Sequence, residues 1–506
     1  MVEGTDAVRG PATPRRCPTR RRRLIHSKIV DSPSPAGLPA IDASLVGRLL
    51  GAALAAGGEY AELFFEHRSS LHLALEDGRV RSVGAGIDAG VGIRVFAGGA
   101  VGFAYAESFE AGPMLAAARM AARVARARGK ARAPRWRAAA VPVPAAVPAG
   151  IAVSPADAAA LLRRVDRAAR AASSLIVRVE ASLAAVQREI VVAASDAPML
   201  RDVQPLLRLS VAAVAERGGR REAGSAGGGG RFGLEYFLQR SPESFGVEAA
   251  RIAVVNLEAR AAPAGSLPVV LAPGDAGIWL HEAVGHGLEA DFIRKRSSSY
   301  SGREGQRVAS PRVTLLDDAR VPGGRGSLGV DDEGVVPTRH LLIDRGVLRG
   351  LLHDRVSARA AGVAPGGAGR RQSFRDVPLP RMSNTWLAAG EDDPQDIVRS
   401  VRLGVYAARF SGGQVNIASG DFVFAVTEGY LIEDGRLTAP LRGVHLIGNG
   451  PAALASVSMV GPDLQMSEGT WTCTKEGQNV PVGVGMPTVK IDRLTVGGTA
   501  IAEAPR

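Results

Sequence analysis

Six residues, His281-Glu282-Ala283-Val284-Gly285-His286, set the strictest demand on how this chain can fold. They put two imidazoles and a carboxylate into one short stretch of a 506-residue protein that has only eight histidines. Two histidines flanking a glutamate are the usual ligands and general base of a helical metallohydrolase site, but there the spacing is i to i+4. Here it is i to i+5. An ideal α-helix turns about 100° per residue, so positions i and i+5 diverge by roughly 140° and their imidazoles would not converge on one ion. The backbone must therefore widen or break before His286. Gly285 and Gly287, on either side of it, are the residues that would permit this.

An apolar helix from Ala276 to Leu280 delivers the pair, and a metal is the chemistry it points to. A hydrolytic zinc site takes three protein ligands and leaves one position to water, so a third donor must come from elsewhere. The candidates are Glu289, Asp291 and Cys473. A thiolate is a stronger zinc ligand than a solvated carboxylate, and Cys473 lies in Trp471-Thr-Cys-Thr-Lys-Glu-Gly-Gln, where Lys475 and Gly477 mark a polar turn. An inert buried thiol is the competing reading of Cys473. The other six histidines (His26, His67, His72, His340, His353, His445) carry no local support for a ligand role.

The net charge of +12 raises the question of nucleic acid. Its distribution answers it. Residues 1–36 hold eight Lys/Arg against Glu3, Asp6 and Asp31, leaving a mild excess elsewhere. Those residues read as a solvated, disordered basic tail. The arginines at 119, 123, 126 and 128 read as a solvated helix face, with no interleaved aromatics for base stacking. Nucleic acid is not an expected partner. The uncharged stretch 138–156 contains four prolines and is no membrane span. With two cysteines, Cys17 and Cys473, a disulfide framework is excluded and a cytoplasmic location is expected.

Patterning predicts an α+β protein. Residues 37–135 form an N-terminal α+β domain: a helix over 41–56, alternating strands on either side of the Asp77-Gly78 turn, and a helix over 113–128. A Pro-rich linker covers 136–153. A central α+β domain spans 154–262, opened by a Ser154-Pro155 helix start. It has strands near 175–179, 190–194 and 207–214, a flexible or substrate-facing glycine loop at 227–230, and a helix over 249–261. Residues 263–506, which carry the histidine helix, have short strands and turn signals such as Gly412-Gly413. They read as a mostly antiparallel, barrel-like β domain.

Several further stretches carry a family resemblance. His281 to Glu289, Gly-Arg-Arg-Gln-Ser at 369–373, Pro-Arg-Met-Ser-Asn-Thr at 380–385, Gly-Gly-Gln-Val-Asn at 412–416, Ser-Met-Val-Gly at 458–461 and Cys-Thr-Lys-Glu-Gly-Gln at 473–478 closely resemble the TldD branch of the TldD/PmbA metalloproteases, i+5 spacing included. The likeness is dense over about residues 265–500, looser from about 58, and absent from the tail. It implies His281, His286 and Cys473 as ligands of one divalent ion, zinc being expected, and Glu282 as the catalytic carboxylate. It also implies a peptidase acting on unfolded or extended peptides, paired with a TldE/PmbA-like protein or self-associated. Where family members commonly read Cys-Gly-Lys, this chain has Thr474. The competing reading is a non-proteolytic, metal-stabilised peptide-binding or modulatory protein.

Overall fold

The structure is a computed structural model that describes residues 37–126, 136–142, 153–498 and 500–501. The basic tail and the middle of the Pro-rich segment lie outside the described residues. Among the described residues, no helix is long and apolar enough to cross a membrane.

Three hairpins with positive-φ pairs, Asp77-Gly78, Gly98-Gly99 and Gly218-Gly219, organise the first half of the chain. Such pairs match the right-handed twist of the strands they join. The resulting seven-stranded sheet runs Ala100–Ala106, Arg79–Ala97, Tyr60–Glu76, Ile176–Ala194, Pro198–Arg217, Arg137–Pro142, with Arg220–Gly230 also paired to Pro198–Arg217. Strands from the expected N-terminal and central regions thus share one β layer. Three predicted elements are longer than their patterns suggested. The runs at 175–179 and 190–194 belong to one strand, 207–214 extends to Pro198–Arg217, and the helix expected over 249–261 starts earlier, at Pro242, and ends at Leu257, with Arg260–Ala261 forming a short strand instead.

Alternation along Tyr60–Glu76 explains the layering. Ala61, Leu63 and Phe65 pack under helices Ala43–Leu54 and Ala111–Val124. On the same face, Leu71, Leu73 and Leu75 pack near helices Pro155–Ala172 and Pro242–Leu257. The opposite face meets the C-terminal region, where Phe64 joins Ile190, Val192, Val330 and Phe374. Burying a side chain of this kind contributes about 1.5–3 kcal/mol. A buried charge network fastens the same junction. Arg94 bonds Glu62 at 2.7 Å and also reaches Glu333, Arg371 bonds Glu62 at 2.6 Å, and Arg188 joins Glu66 at 2.6 Å to Asp332 at 2.9 Å.

The C-terminal region contains a closed five-stranded barrel. Its order is Leu403–Val415, Pro263–Leu271, Val489–Gly497, Val444–Asn449, Asp421–Glu433, and the last strand pairs with the first. The chain is therefore α+β with a barrel, as its patterning predicts. Two glycine readings are corrected. Gly227–Gly230 is not a loop but the end of strand Arg220–Gly230. A Cβ at Gly227 would sit 2.5 Å from the Leu209 carbonyl oxygen, and one at Gly228 2.4 Å from the Tyr236 hydroxyl, so close backbone approach is what the run serves. Gly412-Gly413 is not a turn. It lies in strand Leu403–Val415, where the register shifts between Phe410 and Gly412 and Gly413 packs on the Phe424 ring.

Candidate metal centre

Barrel strand Pro263–Leu271 leads through the Pro273-Gly274-Asp275 turn into helix Gly277–Ala283. Trp279, fully buried, anchors this helix edge-on against Phe422. The helix stops at Ala283. Val284 takes φ −130° and ψ −52°, and Gly285–Leu288 continues as a tighter 3-10 turn. This is the break that the i+5 spacing demands, and it turns His286 back towards His281. Their ring centroids lie 5.0 Å apart at 82°.

The two glycines act differently from their expected role. Neither has a positive φ. A Cβ on Gly285 would lie 2.0 Å from Met382 Sδ, and one on Gly287 2.7 Å from the Tyr300 ring. The requirement is space for neighbouring side chains.

Cys473 arrives from a distant hairpin, Thr472–Lys475 paired with Gln478–Pro481. Its Sγ lies 3.3 Å from His286 Nε2. Donor atoms of His281, His286 and Cys473 all fall within 4.8 Å of one another, and all three residues are buried. His281 is fully buried, and neither of its ring nitrogens has a hydrogen-bond partner among the described residues. Burial pushes the Cys473 thiol up, but the imidazoles of His281 and His286 outweigh this and hold it well below the usual thiol range. Burial pulls His286 down. Glu289 and Cys473 reverse that and hold it well above the usual imidazole range.

The other two third-ligand candidates point elsewhere. Glu289 is fully buried and its Oε2 meets His286 Nδ1 at 3.0 Å, the carboxylate–histidine contact that fixes a ligand imidazole's orientation. Asp291 accepts from Lys475 Nζ at 2.8 Å. The same Nζ donates to Glu289 at 3.0 Å and to the Pro380 carbonyl at 3.0 Å, and lies 4.3 Å from the Phe292 ring centroid. Lys475 is therefore a buried strand residue, and the turn falls one step later at Glu476-Gly477, both with positive φ. Sequence reading missed this role because a lysine beside a glycine turn normally faces water.

Glu282 lies on the same helix as His281 and is partly accessible. Its side chain is 20% exposed, with Oε2 3.8 Å from His286 Nε2. Arg381, fully buried, ties the hairpin down by donating to the Cys473 carbonyl at 2.8 Å and the Gln478 carbonyl at 3.2 Å. The arrangement gathers two imidazoles and a thiolate, with a partly accessible carboxylate alongside.

Comparison with known proteins bears on this geometry. Residues 264–498 match the PmbA/TldA metallopeptidase C-terminal domain, 61–128 match domain 1 and 149–257 match the central domain of the same metallopeptidases. The chain is 43% identical over 453 residues to the Metalloprotease TldD homolog of Haemophilus influenzae, covering 87% of this chain and 93% of that protein. Among solved structures, a Thermotoga maritima protein described as a candidate modulator of a DNA gyrase superposes with a TM-score of 0.72 at 21% identity, covering 87% of this chain and 96% of that one. TldE from Thermococcus kodakarensis superposes with a TM-score of 0.69 at 17% identity, covering 87% and 97%.

Proposed function

The chain belongs to the PmbA/TldD metallopeptidase family, and we propose that it is a zinc-dependent endopeptidase of unfolded or extended peptides that works with a TldE/PmbA-like partner. The observation that carries this reading is the buried convergence of His281, His286 and Cys473 on one point. The residues fit a zinc ion. An imidazole buried with neither nitrogen partnered costs about 1–3 kcal/mol unless something takes its lone pair. Two imidazoles and a thiolate are zinc chemistry, and three protein ligands are the number a catalytic site uses.

When bound, the ion supplies Lewis acidity towards the scissile carbonyl and makes water acidic enough to attack near neutral pH. Glu282 has the accessibility and position to take the proton from that water and pass it to the leaving amine. Glu289 holds the His286 ring so that Nε2, not Nδ1, faces Cys473. Strand edges can hold an extended peptide by backbone pairing, and the structural likeness to TldE supports a partner of the same fold. The two cysteines suit a reducing compartment, and we place the protein in the cytoplasm.

Glu282→Gln is expected to keep its metal and lose cleavage of an unstructured peptide by about 100-fold or more, measured by mass spectrometry with and without a co-expressed TldE-like protein. Unchanged cleavage would remove Glu282 from the mechanism, whereas wild-type protein that cleaves nothing with or without the partner would favour a modulatory, peptide-binding protein. Cys473→Ser is expected to lose most bound metal, and full occupancy there would reassign the third ligand.

A further inference from the structure

A cavity of about 750 Å³ lies between the seven-stranded sheet and the barrel. Its floor includes the small side chains of Ala74, Ser182 and Ser210, and its wall includes Trp471. Trp471, one wall residue, packs in the same cluster as Cys473 and so links this space to the hairpin of the candidate metal centre. The carboxylates that line it are already engaged. Glu76 pairs with Arg81 and, at 2.8 Å, with Arg178; Glu180 pairs with Arg178 at 2.5 Å. Asp275 meets Arg409 at 3.5 Å and accepts from Trp471 Nε1 at 3.3 Å.

Arg208 also lines the cavity and is the exception. Its side chain makes no hydrogen bond or ion pair among the described residues, and its Nε is buried. Burial depresses its pKa, with no anion to offset the loss. Behind it stand more guanidinium groups served only by neutral acceptors. Arg325, 6% exposed, donates to the Trp471 carbonyl at 2.7 Å and the Thr472 hydroxyl at 3.3 Å, while its Nη1 has no partner. Arg370 donates to the carbonyls of Met382 and Pro481, and Arg231 to that of Pro205 at 3.5 Å. Burial first, then neighbouring guanidinium charge that includes Arg208 and Arg370, takes Arg325 down to about 9. Arg94, Arg188 and Arg371, buried more deeply than the half-buried Arg208, are all paired with carboxylates. Among the described residues none of Arg208, Arg231, Arg325 and Arg370 has a carboxylate in salt-bridge contact, although Asp202 stands near Arg231 and Asp317 and Asp332 near Arg370. Arg208 and Arg325 lack even that, which suits them to a carboxylate that arrives with a ligand.

We propose that Arg208, backed by Arg325, binds a carboxylate of the substrate, so that the cleft selects peptides bearing an acidic side chain or a free C-terminus near the scissile bond. The proposal rests on the peptidase reading for its substrate class, and its test is separable from that reading. Four fluorescent unstructured peptides of one length, carrying Glu or Gln internally and a free or amidated C-terminus, are titrated into Glu282→Gln protein and followed by anisotropy. A carboxylate-bearing member of a pair is expected to bind about ten- to a hundredfold more tightly than its neutral counterpart. Which pair discriminates identifies the source of the carboxylate. Adding Arg208→Ala should abolish most of that ratio. Arg208→Lys, which keeps the charge and loses the planar fork, should retain part of it, with metal content and thermal midpoint reporting that each variant is folded. Equal binding of all four peptides, or a ratio that survives Arg208→Ala, overturns the proposal. Wild-type protein that cleaves none of the four even with its co-expressed TldE-like partner refutes the peptidase reading; cleavage of all four without preference refutes the carboxylate site alone.

Discussion

His286 and Cys473 stand 187 residues apart in sequence, yet Nε2 of one lies 3.3 Å from Sγ of the other. Each shifts the other's proton equilibrium. The thiol is held down and the imidazole held up, which favours a thiolate beside an imidazolium in the metal-free pair.

This sets the proton count of metal uptake. A ligand imidazole must be neutral and a ligand cysteine deprotonated. With the shift favouring the thiolate, the proton expected to leave is that of His286. Zinc uptake by metal-free protein at pH 7 is expected to release about one proton. Apparent affinity should rise with pH until the raised His286 pKa is passed, and then flatten. Calorimetry in buffers of different ionisation enthalpy measures the count. Release of no proton would mean that His286 is neutral before the metal arrives.

Lys475 is the counterion that lets two carboxylates, Glu289 and Asp291, sit buried beside His286. Burial pushes the Glu289 carboxyl up, but His286 and Lys475 overcome it and bring it to about 2. A carboxyl depressed in the folded state adds stability above its unfolded pKa and loses it as pH falls towards the folded value. Lys475→Met should therefore cost about 3–5 kcal/mol at pH 7, the usual penalty for stranding a buried charge. The gap from wild type should narrow below about pH 4.5, where the unpaired carboxylates take up protons. Urea midpoints at pH 7 and pH 4 check both statements. An equal gap at the two pH values would show that Lys475 acts through packing alone.

What the sequence revealed of this centre divides along physical lines. The broken helix was legible because 3.6 residues per turn is a fixed geometry that His281 and His286 violate together. The barrel was legible from the succession of strands, although the Gly412-Gly413 signal lies inside a 13-residue barrel strand and not at a turn. From the residues themselves Cys473 could be ranked above Glu289 and Asp291 by ligand strength and its polar turn, and only the family resemblance singled it out, because nothing local reports a contact across 187 residues. Lys475, Arg208 and Arg325 gave no signal, since basic residues usually face solvent and their burial is decided by tertiary packing. The glycines beside His286 were noticed for backbone freedom. Their use proved to be the room they leave for Met382 and Tyr300.

That room makes a sharp final test. A methyl group on Gly285 would overlap Met382 Sδ at 2.0 Å and Cε at 2.9 Å, with Met382 fully buried and adjoining the Ser383 amide that Asp317 accepts from at 2.9 Å. Met382 is flexible, but its surroundings are packed, so Gly285→Ala should cost about 1–3 kcal/mol. Displacing the 3-10 turn should also weaken metal retention, because His286 is the next residue. The clash has a specific remedy. If it is the cause, Gly285→Ala combined with Met382→Ala should be less destabilised than the sum of the two single variants by about 0.5 kcal/mol or more, and should recover metal. Strict additivity would place the defect in the backbone at Val284–Gly285, and the glycine would then be required for conformation after all.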